Sequence, residues 1–385
     1  MTSKIIFSVL PLPFVLVNYR PLFELYAYTY ALKHTLFLLF CALLILELWK
    51  ERYEKTLVEK QVLISHISLV SYLFLNMLLM STVSLTMLMY LISLLLFLPT
   101  VYLAGMKLDG WGGFKAQYYL LIILVPSLSI YSILTGENLF GTYSDLQGGV
   151  KVRWMFGFMH PGYFSSYFLI IYLLGTYLLI EKKIGKWNYV LLSLAVIVMF
   201  FSYTRNTILS VVLVTIWIYN PRSRFILRWG FVASLVVMSV CLLYDYKWLN
   251  AISSGRIGVW MSNFNHNLPN FSYLFGTGLG NAERLHYTES IHGEEVGDIF
   301  HVDNFFLDIF FQFGMVGLAL LGWVLYSIYN MKGVRDVRNV GPFLLIIIFS
   351  MFDSSLFSTG NLLSIVTWTV FFYLNSQRQE VEVSC

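Results

Sequence analysis

The sequence predicts an all-α integral membrane protein with about twelve transmembrane helices. Of its 385 residues, 58% are apolar and only 12% are charged, whereas soluble domains carry about 25% charged residues. The apolar residues occur in long runs, and a run of about 20 residues is enough to cross a bilayer. Basic residues recur in alternate loops. A soluble fold is excluded because too few polar side chains remain to cover a core.

The predicted spans follow one another along the whole chain, so residues 1–385 are expected to form a single membrane domain. The spans fall at 5–18, 28–48, 62–81, 83–104, 117–134, 162–180, 188–203, 207–220, 229–245, 304–328, 341–358 and 361–375. The first is short and contains prolines. We interpret it as a retained helix, since further spans follow and no small-residue cleavage site is evident.

Lysine and arginine clusters follow the even-numbered spans. They lie at 50–60, 107–115, 182–186, 222–228 and 332–338. The positive-inside rule makes these loops cytoplasmic, so both termini are expected in the cytoplasm. Two segments, 135–161 and 246–303, are then expected on the outer face. The second is the longest stretch between spans, precedes the tenth span, and has a length typical of functional loops.

Three arginines are expected on this outer face. Arg153 lies in RWMFGFMHP, Arg205 in the turn SYTRN, and Arg256 in SSGRIGVW. A guanidinium binds phosphate oxygens through a planar fork, so the three together favour a binding site for a polyanion. The alternative is that Arg205 snorkels to the membrane interface and Arg153 is an ordinary loop charge.

Three residues are candidates for proton transfer. His160 precedes Pro161, which opens the sixth span, so the histidine is expected at a helix N-terminus as a ligand-facing group or a polar cap. His301 and Asp303 stand where the long outer loop meets the tenth span. Asp303 is either the N-cap of that helix or a base that accepts a proton from an attacking hydroxyl.

Several glycines and one asparagine are expected to set loop and helix geometry. They are Gly255, Gly276, Gly278, Asn304, Gly314 and Gly317. The run LFGTGLGN lacks the strand–turn–helix context of a nucleotide motif, which leaves a plain turn or a close backbone approach to a ligand. Glycines within the tenth span fit helix packing. No metal or disulfide spacing is present, so neither a metal nor a cofactor is expected.

These residues together resemble the O-antigen ligase and polysaccharide polymerase superfamily. Asp303-Asn304, nine residues and Gly314-Met315-Val316-Gly317 resemble the ligase signature, a His-Asn type pair followed by Gly-x-x-Gly. Gly255-Arg256 with Trp260, and then FGTG, resemble the family's outer loop. RWMFGFMHP and Tyr203-Thr204-Arg205 resemble stretches of Wzy-type polymerases. Asp303 stands where ligases carry a histidine, and this departure favours a polymerase.

The resemblance implies a GT-C-like fold and a metal-independent glycosyltransferase at the outer face of the bacterial cytoplasmic membrane. A sugar chain on a polyprenyl pyrophosphate would be the donor, and a second lipid-linked repeat unit the acceptor, for O-antigen or capsule. Arg153, Arg205 and Arg256 would stabilise the leaving pyrophosphate. Asp303, His301 or His160 would deprotonate the acceptor. Membrane lipids, a flippase and a chain-length regulator are the implied partners, and nucleic acid is not.

Two other functions remain open. An O-antigen ligase performs the same chemistry on a lipid A-core acceptor, and the missing histidine at position 303 speaks against it. A flippase or other transporter of lipid-linked oligosaccharides belongs to a different class with a similar number of spans. The long outer loop and the nearly uncharged spans favour an enzyme over a transporter.

Overall fold

The computed structural model describes the chain in several stretches. They are residues 2–22, 26–50, 60–80, 85–108, 110–144, 150–202, 204–219, 257, 260, 273–278, 286–291, 294–299, 304–331, 339–351, 353 and 356–383. Most of these residues are helical, as the sequence predicts. The predicted ninth span, 229–245, lies outside them.

Helices make up most of the described chain. In chain order they are α1 (Thr2–Val9), α2 (Pro11–Val17), α3 (Tyr26–Lys50), α4 (Lys60–Met80), α5 (Leu85–Lys107), α6 (Gly112–Thr135), α7 (Pro161–Ile180), α8 (Asn188–Phe201), α9 (Arg205–Tyr219), α10 (Phe305–Tyr329), α11 (Val340–Ser350) and α12 (Leu362–Val383). Two antiparallel hairpins accompany them, β1 (Phe140–Ser144) with β2 (Val150–Trp154) and β3 (His286–Ile291) with β4 (Glu294–Ile299). Both hairpins lie in the segments predicted to be outside the membrane.

Five described helices are long and apolar enough to cross a membrane. They are α4, Met87–Met106 within α5, α6, α7 and α10. Shorter apolar helices occupy Ile5–Val17, Leu32–Leu46, Asn188–Phe201, Asn206–Tyr219, Val340–Ser350 and Leu362–Ser376. Large apolar side chains such as Leu79 and Leu134 are exposed on the outside of the bundle. A surface of this kind suits contact with lipid.

Helix α7 is the most enclosed of the five long apolar helices. Of its apolar window, 83% is buried, against 28% for α6. It packs against α6, α8, α9 and α12. Because Pro161 is its first residue, the N-terminus of this helix opens directly after His160. Other close helix pairs are α5 with α12, α4 with α10 and α9 with α11.

Candidate functional site

The turn that leads into α7, Gly157–Tyr163, is here named the histidine corner. His160 has extended backbone angles, with φ −150 and ψ 142, and its Nδ1 accepts a hydrogen bond from the Gly162 N–H at 3.0 Å. An accepting Nδ1 leaves the proton of a neutral imidazole on Nε2. The ring itself is exposed. The imidazole therefore caps the helix and also reaches the surface, so capping and a role in chemistry are compatible.

Backbone pairing holds the histidine corner in place. The Met159 N–H donates to the Asn18 carbonyl at 2.9 Å, and the Arg20 N–H donates to the Gly157 carbonyl at 2.8 Å. The Asn18 side-chain amide also donates to the Tyr167 hydroxyl, on α7, at 2.5 Å. The segment after α2 is thus bonded to both the corner and its helix, which fixes where the imidazole stands.

Gly157 is required at this turn for two reasons. Its φ of +85 is a left-handed value, which L side chains adopt at a cost. A Cβ at this position would also approach Ser132 Oγ and Tyr19 Cε2 closer than 3.0 Å. Those two side chains are themselves joined by a hydrogen bond of 2.7 Å between their hydroxyls.

Arg153 lies on β2 beside the histidine corner and is half-buried. A row of aromatic rings connects this hairpin to α7. The Trp154 ring centroid is 4.3 Å from that of Phe140 and 5.1 Å from that of Phe156, which lies 4.8 Å from Phe164 on α7. The row positions the strand that carries Arg153 against the N-terminal end of α7.

Arg205 begins α9, which starts next to the same end of α7. The Thr207 hydroxyl on α9 donates to the Ser165 hydroxyl on α7 at 3.1 Å. Just before α9, the hydroxyls of Ser202 and Thr204 are bonded at 2.8 Å. The Arg205 backbone therefore lies near the histidine corner, while its side chain is outside what the structure describes.

The motifs in the sequence do not single out two ionisable residues near the beginning of α7, Lys33 and His34 on α3. The Lys33 ammonium lies 4.1 Å from the ring centroid of Tyr163 in the histidine corner, and that ring lies 6.1 Å from the His160 imidazole. His34 Nδ1 is 2.7 Å from the Thr359 hydroxyl. The signal was available, because ionisable residues within an apolar span generally serve a function.

The N-cap of α10 corrects one interpretation made from the sequence. Asn304 accepts hydrogen bonds from the backbone N–H groups of Phe306 and Leu307 at 3.0 and 3.1 Å. The alternative role of Asp303 as the cap of this helix is therefore wrong. Both residue types favour caps, and the choice falls on Asn304 because helical geometry begins at Phe305.

The start of α10 belongs to the same end of the bundle. The Phe305 ring lies 6.0 Å from that of Phe357, two residues before Thr359, which contacts His34 on α3. Contacts thus connect the beginnings of α7, α9 and α10 through α3 and the segment before α12. Asp303, His301, Arg256 and Gly255 lie outside the described residues.

Helix α10 is interrupted at Gly314, with φ 66 and ψ −165. Residues 273–278 lie against the interruption and exchange backbone hydrogen bonds with residues 311–316. The bonds run from Thr277 to Phe311 at 3.0 Å, Gly278 to Gln312 at 2.8 Å, Met315 to Tyr273 at 2.8 Å and Val316 to Leu274 at 3.2 Å, donor named first. We name 273–278 with 311–316 the glycine junction. These bonds satisfy backbone groups that the broken helix would otherwise leave unpaired.

The glycines at the junction permit a direct backbone contact. Gly276 and Gly314 have φ values of +75 and +66, and a Cβ on either would lie closer than 3.0 Å to backbone atoms of the opposite segment. Gly278 donates one of the junction bonds. Gly317 lies one turn further along α10, where a Cβ would meet Phe313. The sequence predicts helix packing for the glycines of the tenth span, and Gly314 instead breaks the helix.

The junction lies well inside α10. Gly314 is nine residues after Phe305, which corresponds to about 14 Å along the helix axis. Helix α4 adds two bonds: Tyr72 donates to the Phe313 carbonyl at 2.8 Å, and Asn76 donates to the Phe275 carbonyl at 2.6 Å. Part of the segment predicted as the long outer loop therefore packs among helices, where protein groups satisfy its backbone.

Comparison with known proteins adds one match. A family model described as O-antigen ligase matches residues 190–322. The matched stretch covers about a third of the chain and is similar to O-antigen ligases. The match supports the resemblance found in the sequence, and together with the apolar helices it indicates a multi-pass membrane protein. The matched region includes Arg205, Arg256, Asp303 and the glycine junction. No curated protein and no solved structure matches the chain.

Proposed function

We propose that this protein is a polysaccharide polymerase of the bacterial cytoplasmic membrane. It would transfer a growing glycan from polyprenyl pyrophosphate to a second lipid-linked repeat unit, at the outer face. The observation that carries the proposal is the series of contacts that links the beginnings of α7, α9 and α10 through α3 and the segment before α12. The family match supports a glycosyltransferase-like function in polysaccharide assembly.

The chemistry asks for little more than charge stabilisation and a base. The acceptor hydroxyl loses a proton, its oxygen bonds to the anomeric carbon, and the bond from that carbon to the phosphate oxygen breaks with its electrons on the pyrophosphate. The leaving group is already stable as an anion, so no acid is needed. Helix N-termini carry partial positive charge. Together with Arg153, Arg205 and Arg256 they would stabilise the charge that grows on the pyrophosphate.

Asp303 is the proposed base, with His301 and then His160 as rivals. Because Asn304 caps α10, the carboxylate next to it is not needed for capping. In the sequence it stands where a polar segment meets an apolar helix, and partial desolvation at such a position would make a carboxylate a stronger base. The glycine junction supports this arrangement, since it bonds residues 273–278 to the helix that follows Asp303.

The orientation of the chain is part of the proposal. Segments 135–161 and 246–303 would belong to the outer side, apart from residues 273–278, which are bonded to α10 and α4. Both termini would be cytoplasmic. About twelve spans in a GT-C-like fold would follow. An impermeant maleimide tests this on Arg284→Cys in a background without the native cysteines. Labelling only after permeabilisation would refute the orientation.

An O-antigen ligase is the second candidate. The description of the matching family favours it, whereas the aspartate at 303 favours a polymerase. The two differ only in the acceptor, a lipid A-core for the ligase and a lipid-linked repeat unit for the polymerase.

Deletion of the gene followed by analysis of surface polysaccharide separates these functions. A polymerase mutant retains single repeat units, a ligase mutant has undecorated lipid A-core while lipid-linked chains accumulate, and a flippase mutant exports no repeat units. We expect single units. Complementation with Arg205→Ala or Arg256→Ala should restore chain growth about ten- to a hundredfold less well than wild type, which is the effect of losing one charge-assisted contact.

A further inference from the structure

We propose that Lys33 binds the phosphate groups of the lipid-linked donor, beside the histidine corner. This inference rests on the proposed function and adds a residue that lies outside both the family match and the sequence-predicted site. In this inference the buried ammonium of Lys33 binds a phosphate or pyrophosphate group carried by a lipid.

The Lys33 side chain is enclosed by protein. It is 4% exposed and lies seven residues after Tyr26, the first residue of α3, or about 10 Å along the helix. Its Cβ and Cδ would touch a Cβ on Gly360 at 3.5 and 3.6 Å, so the aliphatic stem packs against the segment before α12. Its ammonium stands over the Tyr163 ring at 4.1 Å. The stem is thus held between two segments, and the charge is aimed at the beginning of α7.

The ammonium of Lys33 lacks an anionic partner among the described residues. Within that part of the chain, its contact is with the Tyr163 ring, and no carboxylate accompanies it. An ammonium has three N–H donors. An aromatic face does not accept these hydrogen bonds as strongly as a carboxylate or phosphate oxygen does. Burying a charge without a counter-ion is costly. A cation retained in this position inside an apolar helix points to an anion that arrives from outside.

The surroundings suit a phosphate. The N-terminal end of α7 contributes its partial positive charge. The His160 ring lies 6.1 Å from the Tyr163 ring, and α9 begins with Arg205 near the same end of α7. The helix terminus and the arginine would attract an anion, and the neutral imidazole would not repel it. A polyprenyl pyrophosphate fits the position further, because its hydrocarbon tail can remain in the membrane while its head group reaches the ammonium.

The purified full-length protein in detergent provides the test. Thermal stability is measured while undecaprenyl pyrophosphate is added, because a ligand that binds the folded state raises the melting temperature. Wild type, Lys33→Met and Lys33→Arg are compared, with Lys115→Met as the matched control at an exposed lysine of α6. Phosphatidylglycerol in place of the pyrophosphate distinguishes a bulk lipid head group from the donor.

We expect Lys33→Met to weaken undecaprenyl pyrophosphate binding about ten- to a hundredfold, with Lys33→Arg and Lys115→Met close to wild type. Equal binding by wild type and Lys33→Met would overturn the inference while leaving the proposed function intact. Stabilisation by phosphatidylglycerol in preference to the pyrophosphate would overturn the assignment to the donor. A wild-type protein that neither binds the pyrophosphate nor extends glycans would instead refute the proposed function.

A second variant covers the case in which Lys33→Met does not accumulate. Tyr163→Leu removes the ring beneath the ammonium and leaves the charge. If Lys33 serves the donor, this variant folds and still binds undecaprenyl pyrophosphate. A folded Tyr163→Leu protein that no longer binds undecaprenyl pyrophosphate would show that the ring and not the ammonium holds the ligand, and the inference would be wrong.

Discussion

The histidine corner and the glycine junction are built in the same way but differ in the residues that they present. Each joins segments that are distant in sequence through backbone hydrogen bonds, 18–20 with 157–159 in one and 273–278 with 311–316 in the other. The corner contains the ionisable side chain of His160, and the Lys33 ammonium lies against its Tyr163 ring. The junction contains no acidic or basic residue. Under the proposed function, the corner would contribute groups to the chemistry alongside Asp303, and the junction would anchor the polypeptide.

The two regions also differ in what surrounds their glycines. At Gly157 the space for a Cβ is filled by the side chains of Ser132 and Tyr19, whereas at Gly314 it is filled by the backbone of residues 274 and 275. Side chains can rotate away, and a hydrogen-bonded backbone cannot. A methyl group should therefore be less well tolerated at the junction than at the corner.

The largest expected effect is that of Gly314→Ala. The new Cβ would meet backbone at a residue with φ +66, so the segment must separate and its bonds to α10 must break. We expect a loss of about 3 kcal/mol or more in the free energy of unfolding, measured as a lower melting temperature and faster proteolysis after residue 272. Gly322→Ala is the control on the same helix, because no atom lies within 4 Å of its would-be Cβ. Equal melting temperatures of the two variants would contradict the close backbone contact at Gly314.

Gly157→Ala should have the next largest effect. It combines a left-handed φ with contacts to side chains that can shift, so we expect about 2 kcal/mol of destabilisation. Gly136→Ala separates the two causes, since Gly136 has φ +71 and open space around it. The difference in melting temperature between the variants measures the steric contribution. A lower melting temperature for Gly136→Ala than for Gly157→Ala would contradict the close packing of Ser132 and Tyr19 around Gly157.

His160 offers a smaller effect on stability that separates capping from chemistry. Alanine removes the acceptor for the Gly162 N–H and should cost about 1 kcal/mol, whereas asparagine can replace the cap. An asparagine side chain cannot accept a proton as an imidazole does, and it cannot become positively charged next to the pyrophosphate of the glycosyl donor. We expect His160→Asn to keep the wild-type melting temperature and to lose glycan extension. Full extension by that variant would reduce His160 to a cap.

Hydropathy and charge predicted the elements of the fold because they act locally. The described apolar helices fall where the sequence places spans, except that α11 ends at Ser350, before the predicted end of the eleventh span at 358. Helix α7 begins at Pro161, as its proline predicts. The break at Gly314 was not predictable in this way. It depends on Gly276, 38 residues earlier, and a single sequence carries no signal of that pairing.

The candidate site shows the same limit. The residue types alone single out His160, the glycines and the start of α10 as candidates. The choice of Asn304 over Asp303 as the helix cap, by contrast, depends on one residue of helix register. Lys33 was missed because it lies in an apolar run that was interpreted only as a span. Its burial and its contact with Tyr163 exist only in the folded chain.

The central claim is that the beginning of α10 and the histidine corner serve one glycosyl transfer, with Asp303 as the base. Its most direct test is the extension of lipid-linked repeat units by purified protein, with wild type, Asp303→Asn and Asn304→Ala compared for activity and melting temperature. Asp303→Asn should be as stable as wild type and inactive. Asn304→Ala should be less stable by about 1 kcal/mol, because the cap is lost, and still active. A stable Asp303→Asn protein that extends glycans at the wild-type rate would contradict the claim.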